Sequence, residues 1–137
     1  MMYAQNGAAR YRTVRGHGMV ADASPTRLIQ ISFENILAHL SIAQGCMQRI
    51  KDNLPLNDVI TKGAAIGKAV LLIGHLNECL DMERGGAVAV NLRRLYLYML
   101  ERLTVANASN DAAIVVEVSG LVREIKSGWD GIVEAGR

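Results

Sequence analysis

At 137 residues, 50% apolar but only 4% aromatic, the chain has material for one domain with a core of Leu, Ile, Val, Ala and Met. That mixture suits helix-on-helix packing and speaks against a β-sandwich, which draws on more Tyr, Phe, Trp and Thr. The formal net charge of +2 is too small to imply nucleic acid or an anionic membrane as a partner.

The densest apolar run, Ala69-Val70-Leu71-Leu72-Ile73, stops at Gly74, short of the roughly 20 residues of a membrane span, so no stable membrane insertion is expected. The N-terminus lacks the apolar core of a secretory signal, and its arginines (Arg10, Arg12, Arg15) lie among glycines with no amphipathic stripe. Cys46 and Cys79 are isolated, and reduced thiols in a cytosolic setting are the default for such a pair.

In chain order, residues 1–22 show no sustained period and read as a mobile or briefly helical lead segment, leaving residues 23–137 as the folded domain. Ser24-Pro25 announces the first helix: the serine can cap free N–H groups and proline suits the first helical position. Ile29, Phe33, Ile36, Leu40, Ala43, Met47 and Ile50 then recur at spacings of four and three, the seam of a bundle. Pro55 marks the turn. A second helix, from about Asn57 or Asp58, carries Val59, Ile66, Ala69, Ile73, Leu76 and Leu80 on one face despite Gly63, Gly67 and Gly74. Gly85-Gly86 breaks the chain direction. Val88, Leu92, Leu95, Met99, Leu103 and Ala106 stripe a third helix, and Asn107 to Asp111 forms a polar turn. Ile114, Val118, Leu121, Ile125, Trp129 and Ile132 stripe a fourth. Short connections between helices of similar length predict an all-α, antiparallel up-down four-helix bundle.

Catalytic and metal chemistry find little support. His39, Cys46, His75 and Cys79 have zinc-binding side chains, but an antiparallel pair of helices places Cys46 and Cys79 roughly 25 Å apart, excluding a shared ion or a disulfide. No Glu-x-x-His pair, nucleophile elbow, phosphate loop or dinucleotide fingerprint occurs, so neither enzyme nor cofactor is expected. Arg93, Arg94, Arg102, Arg123 and Lys126 could face nucleic acid, yet Glu101, Glu117 and Glu124 are interspersed with them, the pattern of an ordinary solvated face. The unusual feature is Leu95-Tyr96-Leu97-Tyr98-Met99-Leu100, apolar all round the helix. Two internal faces explain such a run in a bundle; so does an exposed groove for an amphipathic segment.

Several stretches together carry a resemblance: Tyr3 and Tyr11; Ala23-Ser24-Pro25 with Leu28-Ile29; Leu80-Asp81-Met82-Glu83-Arg84-Gly85-Gly86; and Asn91-Leu92 through Leu95-Tyr96-Leu97-Tyr98-Met99, Arg102-Leu103 and Ala106-Asn107. In order and spacing these resemble the FliS family of flagellin-specific export chaperones. The resemblance implies cytoplasmic work in a flagellated bacterium, with the C-terminal segment of flagellin as partner and the flagellar export gate as a further one. By the same likeness Tyr3 and Tyr11 are latch residues in a segment lying over the binding surface. The groove is expected near Leu72, Leu97 and Leu100. Phe33-Glu34-Asn35 stands where the family often has Tyr-Asp-Gly, Ala87 replaces an acidic residue, and the pI near 8.7 is high for the family. A small regulatory or nucleic-acid-binding bundle and a self-associating bundle are the competing readings.

Overall fold

The computed structural model describes residues 24–53 and 55–136. They form four α-helices: α1 (Pro25–Asn53), α2 (Leu56–Glu78), α3 (Gly86–Ser109) and α4 (Ala112–Ala135). Each helix packs on the next and α4 closes back on α1, whereas the diagonal pairs contribute far less. With connections this short, that ring of contacts is the antiparallel up-down bundle expected from the sequence.

Local chemistry explains where the helices begin and end. The Ser24 hydroxyl accepts from the Arg27 N–H at the start of α1, and the Asp111 carboxylate accepts from the Ala113 N–H at the start of α4. Pro55, in extended conformation, precedes α2 without a side-chain cap, so that helix starts slightly earlier than the expected Asn57 or Asp58. The polar turn after α3 is shorter than predicted. Asn107, Ala108 and Ser109 stay helical, and Asn110 in the left-handed region (φ 53°) makes the break.

All seven stripe residues of α1 are buried, and Leu103, Met99, Ala106, Ile114 and Val118 meet them from the other side of the bundle. In α3 and α4 two residues of the expected stripes point outward instead: Val88, in the first turn of α3, and Ile132, in the last turns of α4. Both lie near helix ends, and Ala89 takes the buried place that the period assigned to Val88. Val59 is likewise exposed at the start of α2, while Leu80 packs on the core from just beyond its end.

Polar ties fix the helices relative to one another. Lys62 of α2 is buried, and its Nζ donates to the Asn107 carbonyl at 3.0 Å and to Asn110 Oδ1 at 3.5 Å. The ammonium thus meets free carbonyls at the negative end of α3. Asn110 in turn donates to the Met47 carbonyl, so this end of the bundle is tied across three helices. At the other end Trp129 Nε1 donates to the Thr26 carbonyl at 2.9 Å, joining α4 to α1.

Between α1 and α4, Asp130 accepts from Lys126 and from Gln30; these bonds, the lysine's first, hold its carboxyl below the ordinary range. Between α3 and α4, Glu117 accepts from the Tyr98 hydroxyl at 2.9 Å and from Arg102 Nε at 3.1 Å. Those two donors, tyrosine first, also lower its pKa. A carboxylate whose folded pKa lies below its unfolded one adds stability above the unfolded value and loses it as pH falls through the folded value. The urea midpoint is therefore expected to drop as pH is lowered from neutrality through the carboxylate range. Asp130→Asn and Glu117→Gln should each flatten that dependence, a small effect because both groups are largely solvated. A midpoint equally steep in both variants would show that these bonds do not couple to folding.

Candidate partner-binding surface

A bundle of this kind buries one face of each helix, so its function is written in the faces left over. Most outer faces are charged. The exception is α2. Among the described residues it is the one helix long and apolar enough, by length and composition, to cross a membrane, and only 33% of its most apolar stretch is buried. The helix carries straight through Gly74 to Glu78, as its stripe predicts, so its apolar character extends beyond the dense run Ala69–Ile73. Its apolar residues serve two opposite faces. Ala65, Ile66, Ala69, Ile73 and Leu76 enter the core. Leu56, Ile60 and Leu71 stand out on the far side, 71%, 61% and 54% exposed.

Helical spacing places Gly63, Ala64, Gly67 and Gly74 on that same outer face, since residues four, seven and eleven apart recur on one side of an α-helix. The result is a strip from Leu56 to Gly74, about 27 Å long at 1.5 Å per residue, with no charged side chain along its centre. Lys68 lies beside the strip, about 90° from its middle, and Glu78 follows its end.

The rim toward α3 continues it. Tyr98 and Arg102 of α3 bond to α4, which marks the side of α3 facing that helix. Leu100 lies about 160° around the helix from Tyr98, hence toward α2, with Leu97 next to it on the outer edge. The bond from Lys62 to Asn107 sets the antiparallel register, which levels Leu97 and Leu100 with Val70, Leu71 and Gly74. Leu97 is half-exposed, while Leu100 and Val70 are partly buried against the core.

Of the residues singled out from the sequence, Leu97 and Leu100 therefore share the α2–α3 flank. Leu72 does not join them. It packs on the core about 40° around α2 from Asp58, whose carboxylate accepts from Arg49 of α1, and so turns toward α1. Tyr3 and Tyr11 lie outside the described residues. Within the apolar run of α3, Tyr96 and Met99 are buried and Leu95 packs on the core, so two internal faces account for most of it. The exposed Val90, Leu97 and Val105 of α3 are interspersed with Arg94 and Glu101, and the longer uncharged strip is on α2. Its signal in the sequence was Leu56, Ile60 and Leu71 in phase with three glycines, a row that reads as weak helix rather than as surface. Phe33 is 2% exposed and lines a cavity of about 30 Å³ with Tyr96 and Trp129. The ring at this position thus belongs to the core and not to an outer contact.

The turn Leu80–Gly86 is explained by folding. Asp81 Oδ1 accepts from the N–H groups of Glu83 and Arg84, the Asp81 carbonyl accepts from the Gly85 N–H, and Gly86 takes φ +54°. Cys46 and Cys79 are buried and in no disulfide, and no group of three or more His, Cys, Asp or Glu able to hold a metal occurs among the described residues.

A match to the family model of the flagellar protein FliS covers residues 7–136, nearly the whole chain. The chain belongs to the FliS family. It is 48% identical over 131 residues to the flagellar secretion chaperone FliSB of Pseudomonas aeruginosa, covering 96% of this chain and 98% of that one. To the flagellar secretion chaperone FliS of Salmonella typhimurium it is 38% identical, covering 96% and 93% of the two chains. The Escherichia coli FliS chaperone is 34% identical, with 93% and 90% covered. Membership makes this FliS chain a flagellar secretion chaperone and not an enzyme. A chaperone acts by covering surfaces, so its partner is a flagellar export substrate, and an uncharged outer strip on one helix is the chemistry such work requires.

Proposed function

We propose that the outer face of α2, with the flank formed by Leu97 and Leu100, holds apolar segments from the C-terminal region of flagellin in the cytosol, prevents their premature polymerisation and presents the cargo for export. The observation that supports this reading is the exposure of Leu56, Ile60 and Leu71 along an uncharged strip. A segment that becomes helical on burial can lay leucine-sized side chains along it, and the glycines let the partner's backbone come close. Each apolar side chain covered removes area from water at about 25 cal/mol per Å², enough in sum to offset the ordering of a disordered segment. By the same reading residues 1–22, with Tyr3 and Tyr11, act as a latch over this surface that cargo displaces, and the loaded chaperone docks at the export gate.

Calorimetric titration of the full chain with a C-terminal flagellin fragment tests the reading. One-to-one binding with a negative heat-capacity change and little dependence on salt is the expected result, because apolar burial and not charge carries the contact. Affinity that falls steeply with salt, or no heat and no co-elution at any temperature, would overturn it.

A further inference from the structure

Val88 and Ile132 are stripe residues left 67% and 58% exposed, and they stand opposite each other. Val88 lies seven residues before Leu95 and fourteen before Arg102, so all three occupy one side of α3. Arg102 bonds to Glu117, which makes that the side facing α4. On α4, Leu121, Gly128 and Ile132 follow Glu117 at spacings of four, seven and four, along the side facing α3. The bonds from Tyr98 and Arg102 to Glu117 set the antiparallel register, which brings Val88 and Ile132 within about one turn of the same level.

The seam between α3 and α4 therefore changes along its length. Around Glu117 it is closed by polar bonds, and in its middle Leu95 and Leu121 pack on the core. At the start of α3 and the end of α4 it leaves two large apolar side chains facing water. Packing beneath them is incomplete: Leu92, Ile125 and Trp129 line the cavity of about 30 Å³ that Phe33 and Tyr96 share. The result is an apolar cleft with no charge in its lining, and Glu124 stands at its outer edge.

We propose that this cleft is a second seat for the export substrate: an aliphatic side chain, carried on the same segment that covers α2, inserts between Val88 and Ile132 toward Trp129. That cargo is the occupant rests on the function proposed above. Size favours one cargo over both sites. The α2 strip, about 27 Å by one helix width, falls short of the roughly 800 Å² per partner of a stable complex, so a chaperone that holds its cargo needs further apolar surface. The start of α3 joins the two sites. Gly86–Leu92 is seven residues without a charge, and Ala87 and Val90 are exposed on its outer side. Crossing α3 there covers about twice the 8–10 Å between helix axes, which about six extended residues span. A segment held at one seat then meets the other at high effective concentration, so two weak contacts add to a firm one.

Trp129 is the only tryptophan of the chain and reports on the cleft. The test is acrylamide quenching of the full chain during titration with a tryptophan-free C-terminal flagellin fragment. It is run on the wild type, on Val88→Asp with Ile132→Asp, and on Ile60→Asp with Leu71→Asp. In the wild type, bound fragment should lower the quenching constant at least about twofold. The Val88 and Ile132 pair, exposed in the free chain, should keep its circular dichroism and bind at least about tenfold more weakly. At saturation its Trp129 should stay as open to acrylamide as in the free chain. The Ile60 and Leu71 pair should also bind more weakly, yet at saturation Trp129 should be shielded, because the cleft is intact. Wild-type affinity in the Val88 and Ile132 pair, or a bound wild type whose Trp129 is not shielded, overturns the second seat and leaves the reading of α2 standing. Absence of any binding to the wild type overturns both. The chain enters α1 at Ser24, which borders one hollow with Ile132, so residues 1–22 are the rival occupant. A Trp129 that cargo exposes instead of shielding would assign the cleft to them and overturn the proposal.

Discussion

Replacing both Ile60 and Leu71 with aspartate should lower the affinity for the flagellin fragment about a hundredfold while leaving the urea midpoint close to wild type. Both side chains are more than half exposed in the free protein, so the fold loses little when they become polar. In a complex each would be covered, and truncation forfeits roughly 1 kcal/mol of apolar burial per site. The carboxylates keep part of their water at the edge of the contact, so desolvation adds about 1 kcal/mol for the pair. A total near 3 kcal/mol corresponds to about two decades in Kd. Val116→Asp serves as the control. That residue is half-exposed too, but it sits on α4, diagonal to α2 in the bundle, and its change should leave binding within about twofold. Equal losses from both variants would move the contact away from α2; no loss from either would remove apolar cover from the mechanism.

The legible parts of this chain are those where burial and period coincide. Every stripe residue of α1 is buried, because that helix has packed neighbours, α2 and α4, along its length and its apolar positions have only one place to go. Val88 and Ile132 continue their stripes in sequence but lie exposed near helix ends, and periodicity carries no record of how far a neighbour's cover extends. Lys62 shows the same limit from the other side. A lysine among apolar residues reads as surface until the end of α3 arrives beside it and supplies carbonyls for its ammonium.

The candidate surface was harder to read than the core for a physical reason. Leu97 and Leu100 stood out because six apolar residues in a row exceed what one face can bury; most of that excess then went into the second internal face of α3. On α2 the exposed leucines and isoleucine stand four or more residues apart among glycines, so the excess shows only over the length of the whole helix. Leu71 and Leu72 are adjacent in sequence and identical in chemistry, yet one faces solvent and the other packs against the core. A step of about 100° around the helix separates them, and only the position of α1 decides which is covered.

Two alanine substitutions at glycine should have opposite effects on stability. A Cβ at Gly85 would sit 2.5 Å from the Ala89 Cβ and 2.7 Å from the Asp81 carbonyl oxygen, closer than atoms can approach. Both obstacles are fixed, one by α3 and the other by the turn that Asp81 organises, so the backbone of the α2–α3 connection must shift. Gly85→Ala should destabilise the fold by about 2–3 kcal/mol, read as a lower urea midpoint at unchanged slope. Gly67→Ala meets open space on a regular helix and should raise the midpoint, by up to about 1 kcal/mol. If Gly67 serves contact and not folding, the same substitution should weaken cargo binding while it strengthens the fold. Stability and binding moving in opposite directions at one methyl group separates the two roles. A Gly67→Ala variant that is less stable than wild type would instead mean that α2 needs its glycine for packing within the chain.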